Sequence, residues 1–249
     1  MTGVAQARDQ GAADGAQTSR ARRRAGRPRL RPAGDTEVTP RSEILNAAAE
    51  LFVSHGLAAT TTRQIAERVG IRQASLYYYF TGKDEILLEL LTQSVRPSLR
   101  VAAELESRHR GDPAAGLYAL ALTDVATLAH APHNIATLYL MPEVQAEAFT
   151  SFRAERAQLQ AVYGRLGQAA SAGHDMDESL TATLLMQLVE SVIQLRRTGE
   201  LDDGSGHQIA AACLRLVGLG PADVARAAAR LAAPPVARQV PPGKRHAAG

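Results

Sequence analysis

A chain of 249 residues is long enough to bury a proper core as one large domain or two modest ones. Its 45% apolar share is ordinary, yet only 4% is aromatic and no Trp is present, a balance that favours Ala- and Leu-rich helices over strands. No apolar run reaches 18 residues and none follows the N-terminal charges, so neither a membrane span nor a secretory signal is expected and the expected location is cytoplasmic. The single Cys213 excludes an intramolecular disulfide and a Cys-based zinc cluster; it reads as a small buried hydrophobe, with a redox thiol as the other reading. The net charge of +3 hides a division. Residues 1–83 hold 13 Lys/Arg against 7 Asp/Glu, residues 84–233 hold 12 against 18, and 234–249 add three cations and no acid. A basic front on an acidic body suits a protein that meets a polyanion at one end.

In chain order, residues 1–38 are rich in Ala, Gly, Arg and Pro without apolar periodicity, and are expected to be a disordered basic arm. Thr39-Pro40 is a helix start, with Thr as N-cap and Pro at the first turn. Ile44, Leu45, Ala48, Leu51 and Phe52 follow at helical spacing, and Gly56 stops the run. Thr61-Thr62-Arg63-Gln64 reads as a capping box opening a short helix with Ile65, Ala66 and Val69 inward, ended by Gly70. After Ile71-Arg72 a third helix is expected from about Gln73 to Phe80, broken by Gly82. A fourth begins near Lys83-Asp84, its acids placed where the helix dipole favours them. Beyond it, Gly111-Asp112-Pro113, Ala131 to Asn134, Met141-Pro142, Ala172 to His174 and Asp202 to Gly206 punctuate an otherwise helical pattern. Nine or ten helices are expected, the last from Pro221 to about Ala233. The tail 234–249 is expected to be disordered. The fold class is all-α: a three-helix headpiece over 39–88 and a larger helical body over 89–233.

Two short helices joined by a tight glycine turn make a helix-turn-helix, whose second helix enters the DNA major groove. Leu76 and Phe80, four apart, should point inward, leaving Gln73, Ser75, Tyr77 and Tyr79 outward and Tyr78 near the edge. Gln pairs bidentately with adenine, Ser with several base edges, and Tyr offers a hydroxyl to phosphate and a ring to a thymine methyl. The expected DNA-facing set is Thr60, Thr61, Thr62, Arg63, Arg72, Gln73, Ala74, Ser75, Tyr77, Tyr78, Tyr79 and Lys83. Thr60 to Arg63 and Lys83 lie at helix starts that present free N–H groups to phosphate.

The stretch from Ile44 to Leu87 resembles the headpiece of the TetR family of bacterial repressors. The matching residues are Ala48-x-x-Leu51-Phe52, Gly56, Ala59-Thr60-Thr61, Ile65-Ala66, Val69-Gly70-Ile71, Leu76-Tyr77-x-Tyr79-Phe80 and Lys83-x-x-Leu87, with Glu85 between. The resemblance covers about 45 of the 249 residues. It implies a homodimer that represses, less often activates, transcription by docking two recognition helices in successive major grooves of a palindromic operator. It also implies a small-molecule effector whose binding in the C-terminal domain releases DNA. This sequence departs at Arg72, where the family often has Ser or a similar cap, and at Tyr79, where the family commonly has His. Both put the operator sequence out of reach.

Seven arginines crowd residues 20–31, and Gly26-Arg27-Pro28-Arg29 resembles an AT-hook core, so Arg24, Arg27 and Arg29 are expected to follow a minor groove. For the dimer seam, the apolar residues Leu184, Leu188, Val192 and Leu195 on one helix and Leu214 on the next are the candidates. They are carried over by position from the helices that pair in relatives. Tyr118, Leu122, Tyr139, Phe149, Phe152 and Met186 are candidates to line an effector pocket. Neither a cofactor nor a metal site is expected, since His130 and His133 lack further ligands. No Ser-His-Asp set, phosphate-binding glycine loop or carboxylate pair suggests an enzyme. The alternative within DNA binding is an architectural protein that senses no effector.

Overall fold

The computed structural model describes residues 39–108, 111–171, 173 and 176–232, so the basic arm with Arg24, Arg27 and Arg29, and the C-terminal tail, lie outside the described residues. The described residues form ten α-helices and three short 3-10 turns, with no strand. The helices are α1 (Pro40–His55), α2 (Thr62–Val69), α3 (Gln73–Tyr79), α4 (Lys83–Gln93), α5 (Arg96–Arg108), α6 (Pro113–His130), α7 (Thr150–Ala170), α8 (Glu178–Thr198), α9 (Ser205–Leu216) and α10 (Pro221–Ala232). Among the described residues no single helix is long and apolar enough to cross a membrane.

Local sequence explains where these helices start and stop. Thr39 caps α1 by accepting from Ser42 N–H at 3.2 Å, with Pro40 in the first turn. The capping box of α2 is complete: Gln64 N–H donates to Thr61 Oγ1 (3.2 Å) and Thr61 N–H donates to Gln64 Oε1 (2.8 Å). Gly70 closes α2 at φ 78°, a left-handed conformation that glycine adopts without steric penalty. Asp112 caps α6 and Asp177 caps α8. Gly206, expected in a break, lies inside α9, which begins one residue earlier at Ser205.

The centre of the fold is α6, which packs against α5, α7, α8, α9 and α10. Its side chains at Leu117, Leu120, Ala121, Val125 and Leu128 are buried among those helices. Helices α7 and α8 run in close contact because Gly167 leaves no side chain between them. A methyl there would lie 2.7 Å from Thr181 Cγ2 and 2.8 Å from Leu185 Cδ1.

After α6 the chain reverses through the 3-10 turn Pro132–Leu138. His133 (φ 48°) and Asn134 (φ 56°) are the non-glycine residues in the left-handed region among those described. Such residues are uncommon and hold their shape only when neighbours fix them. Here Asn134 Nδ2 donates to Ile193 O on α8 (2.9 Å), and His133 Nε2 lies 3.1 Å from Asn46 Oδ1 on α1. This turn packs along α1 and so joins the central bundle to the first helix.

Candidate nucleic-acid interface

Helix α3 is only seven residues long and holds its place through packing. Leu76 and Phe80 are buried, Phe80 serving as the residue that ends the helix. Arg41 of α1 stacks its guanidinium 4.6 Å above the Phe80 ring and also pairs with Glu89 of α4. Glu85 accepts from Thr81 N–H (2.6 Å) and Thr81 Oγ1 (2.7 Å), which fixes the α3–α4 turn. The Thr81 backbone bond, then the hydroxyl bond, hold the Glu85 carboxyl below the usual carboxylate range. Two buried anchors and a tied turn therefore brace the inner side of α3.

On its outer side Gln73, Ala74, Ser75, Tyr77 and Tyr78 are exposed. The orientation of the tyrosines differs from the sequence expectation. Tyr78 is the most exposed at 84%, Tyr77 stands at 50%, and Tyr79 is half-buried against the core. The cause is helical rotation: at about 100° per residue, Tyr78 lies opposite the Leu76–Phe80 face while Tyr77 and Tyr79 flank it. Tyr78 meets Tyr79 edge-on, with ring centroids 5.1 Å apart.

The start of α2 faces α3 across a short polar link that the sequence did not reveal. Gln73 Nε2 donates to Thr62 Oγ1 (2.9 Å) and to Tyr77 Oη (3.5 Å), while Thr62 Oγ1 and Tyr77 Oη lie 3.1 Å apart. Thr61 is exposed and occupied by its capping box. Arg63 bonds Glu67 one turn along α2 (2.8 Å), which raises its already high pKa. Arg72 precedes α3 without a side-chain cap, as its departure from the family pattern implied, and is exposed.

Two expected DNA contacts are corrected. Thr60 is 1% exposed, and its hydroxyl points inward, donating to Gly56 O (2.8 Å) with Leu51 O next nearest (3.3 Å), at the end of α1. Lys83 Nζ donates to Leu57 O (2.7 Å), Thr60 O (3.1 Å) and Ala58 O (3.4 Å). An ammonium has three donors, so this one ties the α1–α2 loop rather than presenting itself to solvent.

The six pocket candidates do not line one common cavity. Tyr118, Phe149, Phe152 and Met186 are buried in the core, where a chain with so few aromatics needs their volume. Tyr139 donates or accepts with Ser94 Oγ at 2.6 Å and stacks near Phe152. Of the six, Leu122 lines a cavity of about 360 Å³ between α6 and the start of α9, beside His130, His207, Asp202 and Asp203, while Tyr139 borders a different recess near α8. His207 Nδ1 lies 2.8 Å from Tyr118 Oη.

Sequence reading also missed Asp124, the sole acid of an otherwise apolar α6, which is itself a legible signal. Asp124 is buried, accepting from Ser98 Oγ (2.8 Å) and Tyr163 Oη (3.1 Å). Desolvation pushes its pKa up to about 6 against the lowering effect of those two bonds. Cys213 is buried as expected, and burial pushes its thiol up to about 12, which leaves little reactive thiolate.

The dimer candidates divide between two faces. Val192 and Leu214 are fully buried in the protein's own core, so they are corrected to intrachain packing. Leu184, Leu188 and Leu195 are partly exposed and, with Leu180 at 47%, form an outer stripe on α8.

A capped helix, a left-handed glycine turn and a braced short helix with a polar and aromatic outer face define a helix-turn-helix. Residues 44–90 match the family model described as bacterial regulatory proteins, tetR family. The chain resembles the crystal structure of AmtR from Mycobacterium smegmatis, at 38% identity and TM-score 0.71, over 83% of this chain and 99% of that one. It resembles the structure of KstR2, a ketosteroid transcriptional regulator of Mycobacterium tuberculosis, at 23% identity and TM-score 0.63, over 76% of this chain and 100% of that one. In sequence it is 49% identical to the transcriptional repressor KstR2 of M. tuberculosis over 51 residues, 20% of this chain and 26% of the relative, so that match spans about a quarter of the curated relative's length. The chain belongs to the TetR family of bacterial regulatory proteins.

Proposed function

We propose that the chain is a sequence-specific DNA-binding transcriptional repressor that grips a palindromic operator as a homodimer and is released by a small-molecule effector. The observation that carries this reading is the face of α3: Gln73, Ser75, Tyr77 and Tyr78 stand outward while Leu76 and Phe80 lock the helix from behind. Residues 39–88, with the basic arm before them, supply the DNA contacts and residues 89–233 the remaining roles. Arg63, Arg72 and the start of α2 lie beside α3 for phosphate, and Arg24, Arg27 and Arg29 follow the adjacent minor groove.

Leu180, Leu184, Leu188 and Leu195 support pairing through α8, since an exposed apolar stripe of this kind seeks a partner. Effector control draws support from the cavity beside Leu122 and from the His133–Asn134 turn, which sits at the end of α6 and touches α1 through Asn46. A ligand that shifts the end of α6 would move that turn, and α1 with it.

Selection of the full chain on randomised duplexes tests the reading. The expected result is an inverted repeat with half-sites about one or more helical turns apart, bound by a species of twice the chain mass in sedimentation. Enrichment of A·T-rich DNA without a defined motif would instead indicate an architectural protein, and no enrichment would refute DNA reading altogether.

A further inference from the structure

The cavity between α6 and the start of α9 combines an apolar floor with an acidic edge. Leu122, Val125, Ala126 and Ala129 recur along one side of α6 and form the floor, with Leu201 beside them. The polar groups at its edge are His130 on α6, and Asp202, Asp203 and His207 around the start of α9. Among the described residues no Lys or Arg lines it. Its volume of about 360 Å³ falls within the ~300–1,000 Å³ typical of small-molecule sites.

The edge offers acceptors and negative charge. Asp202 Oδ1 accepts from Ser205 Oγ (2.6 Å) and Gly204 N–H (3.0 Å), and the Ser205 bond leads in holding its carboxyl below the usual carboxylate range. The Asp203 carboxylate has no hydrogen-bond or ion-pair partner among the described residues. His130 Nδ1 lies 2.7 Å from Ala126 O, and a carbonyl can only accept, so Nδ1 carries a proton. In the neutral ring the other nitrogen, Nε2, is therefore an acceptor. His207 is engaged with Tyr118 Oη. A ligand that complements these groups brings N–H donors and positive charge, together with hydrocarbon for the floor. An anion would face two carboxylates with no counter-charge.

We propose that this cavity binds an organic cation, a protonated amine on an alkyl or aryl body, with Asp203 as its anionic partner and the α6 floor under its hydrocarbon. This names the ligand class for the effector reading above, and rests on that reading for its consequence. A cation held there bridges the α8–α9 connection to the last turns of α6. Directly beyond α6 lies the turn whose His133 meets Asn46 of α1, so the ligand sits beside the path to the headpiece.

Titration calorimetry of the full chain without DNA tests the site, using n-octylammonium chloride, octan-1-ol and sodium octanoate, which share one length and differ in charge. Octylammonium should bind more tightly than octanol by roughly fivefold, and octanoate more weakly than either. Asp203→Asn should lower octylammonium affinity by roughly fivefold, the upper end for a solvent-exposed ion pair, and leave octanol binding unchanged. A role in folding alone would weaken both ligands together. Ala126→Leu, at an exposed position, fills part of the floor and should weaken octylammonium and octanol alike. No binding of octylammonium, binding of octanol or octanoate as tight as that of octylammonium, or an octylammonium affinity unchanged by Asp203→Asn overturns the proposal. The effector reading is judged apart, by adding octylammonium to the complex with selected DNA. Occupancy of the cavity without release of DNA overturns control through this cavity and leaves the cation site standing. A failed cation site, conversely, leaves release by a different ligand intact.

Discussion

Phe80→Ala should destabilise the fold by about 3–5 kcal/mol, the usual range for emptying a buried phenylalanine site, and weaken DNA binding with it. Phe80 is 1% exposed at the junction of α3 and α4, so its removal leaves a cavity where the helix turns. It also removes the ring beneath the Arg41 guanidinium, loosening the side chain that pairs α1 with Glu89 of α4. A native domain has roughly 5–15 kcal/mol in hand, so this one change takes a large fraction. Phe80→Leu, which refills most of the volume, should lose much less. Denaturant titration followed by circular dichroism measures both, and a midpoint for Phe80→Ala equal to that of the native chain would show that the ring braces nothing.

The second large effect is a pH dependence centred on Asp124. In the unfolded chain its carboxyl titrates near the ordinary value of about 3.9; in the fold, desolvation raises it to about 6 despite the Ser98 and Tyr163 bonds. Between those values the folded protein keeps a proton that the unfolded chain has released. The contribution of Asp124 to stability is therefore fully present below about pH 4 and is lost as pH rises to about 6. At 1.36 kcal/mol per unit the loss is about 3 kcal/mol. Asp124→Asn cannot ionise and should lack this component. The measurement is the difference in unfolding free energy between native and Asp124→Asn proteins at pH 4, 5, 6 and 7, which cancels other titrating groups. A difference independent of pH would contradict the assignment.

Legibility in the sequence followed the range of the interaction. Helix starts at Thr39-Pro40 and Thr61 to Gln64, and the stop at Gly70, are decided within four residues and were readable as such. The inward pair Leu76 and Phe80 was equally local. Thr60 and Lys83 were misplaced because their partners are backbone carbonyls at the end of α1 and in the loop after it, reached only after folding. Two apolar faces of α8 differ by about one residue of rotation, so Val192 could not be separated from Leu188 by spacing alone. The pocket candidates show the weight of composition: with four Phe and six Tyr in 249 residues, the nominated Tyr118, Tyr139, Phe149 and Phe152 are also core residues, which residue type alone does not reveal.

The claim on which the rest depends is that the outer face of α3 contacts base edges. Fluorescence anisotropy on the duplex enriched by selection tests it with Gln73→Ala and Tyr77→Ala, both at exposed positions, with circular dichroism to check that each variant folds. Each substitution should weaken binding to that duplex by roughly tenfold or more while leaving binding to unrelated DNA nearly unchanged. Correctly folded variants that bind the selected duplex with native affinity and native selectivity would contradict the account.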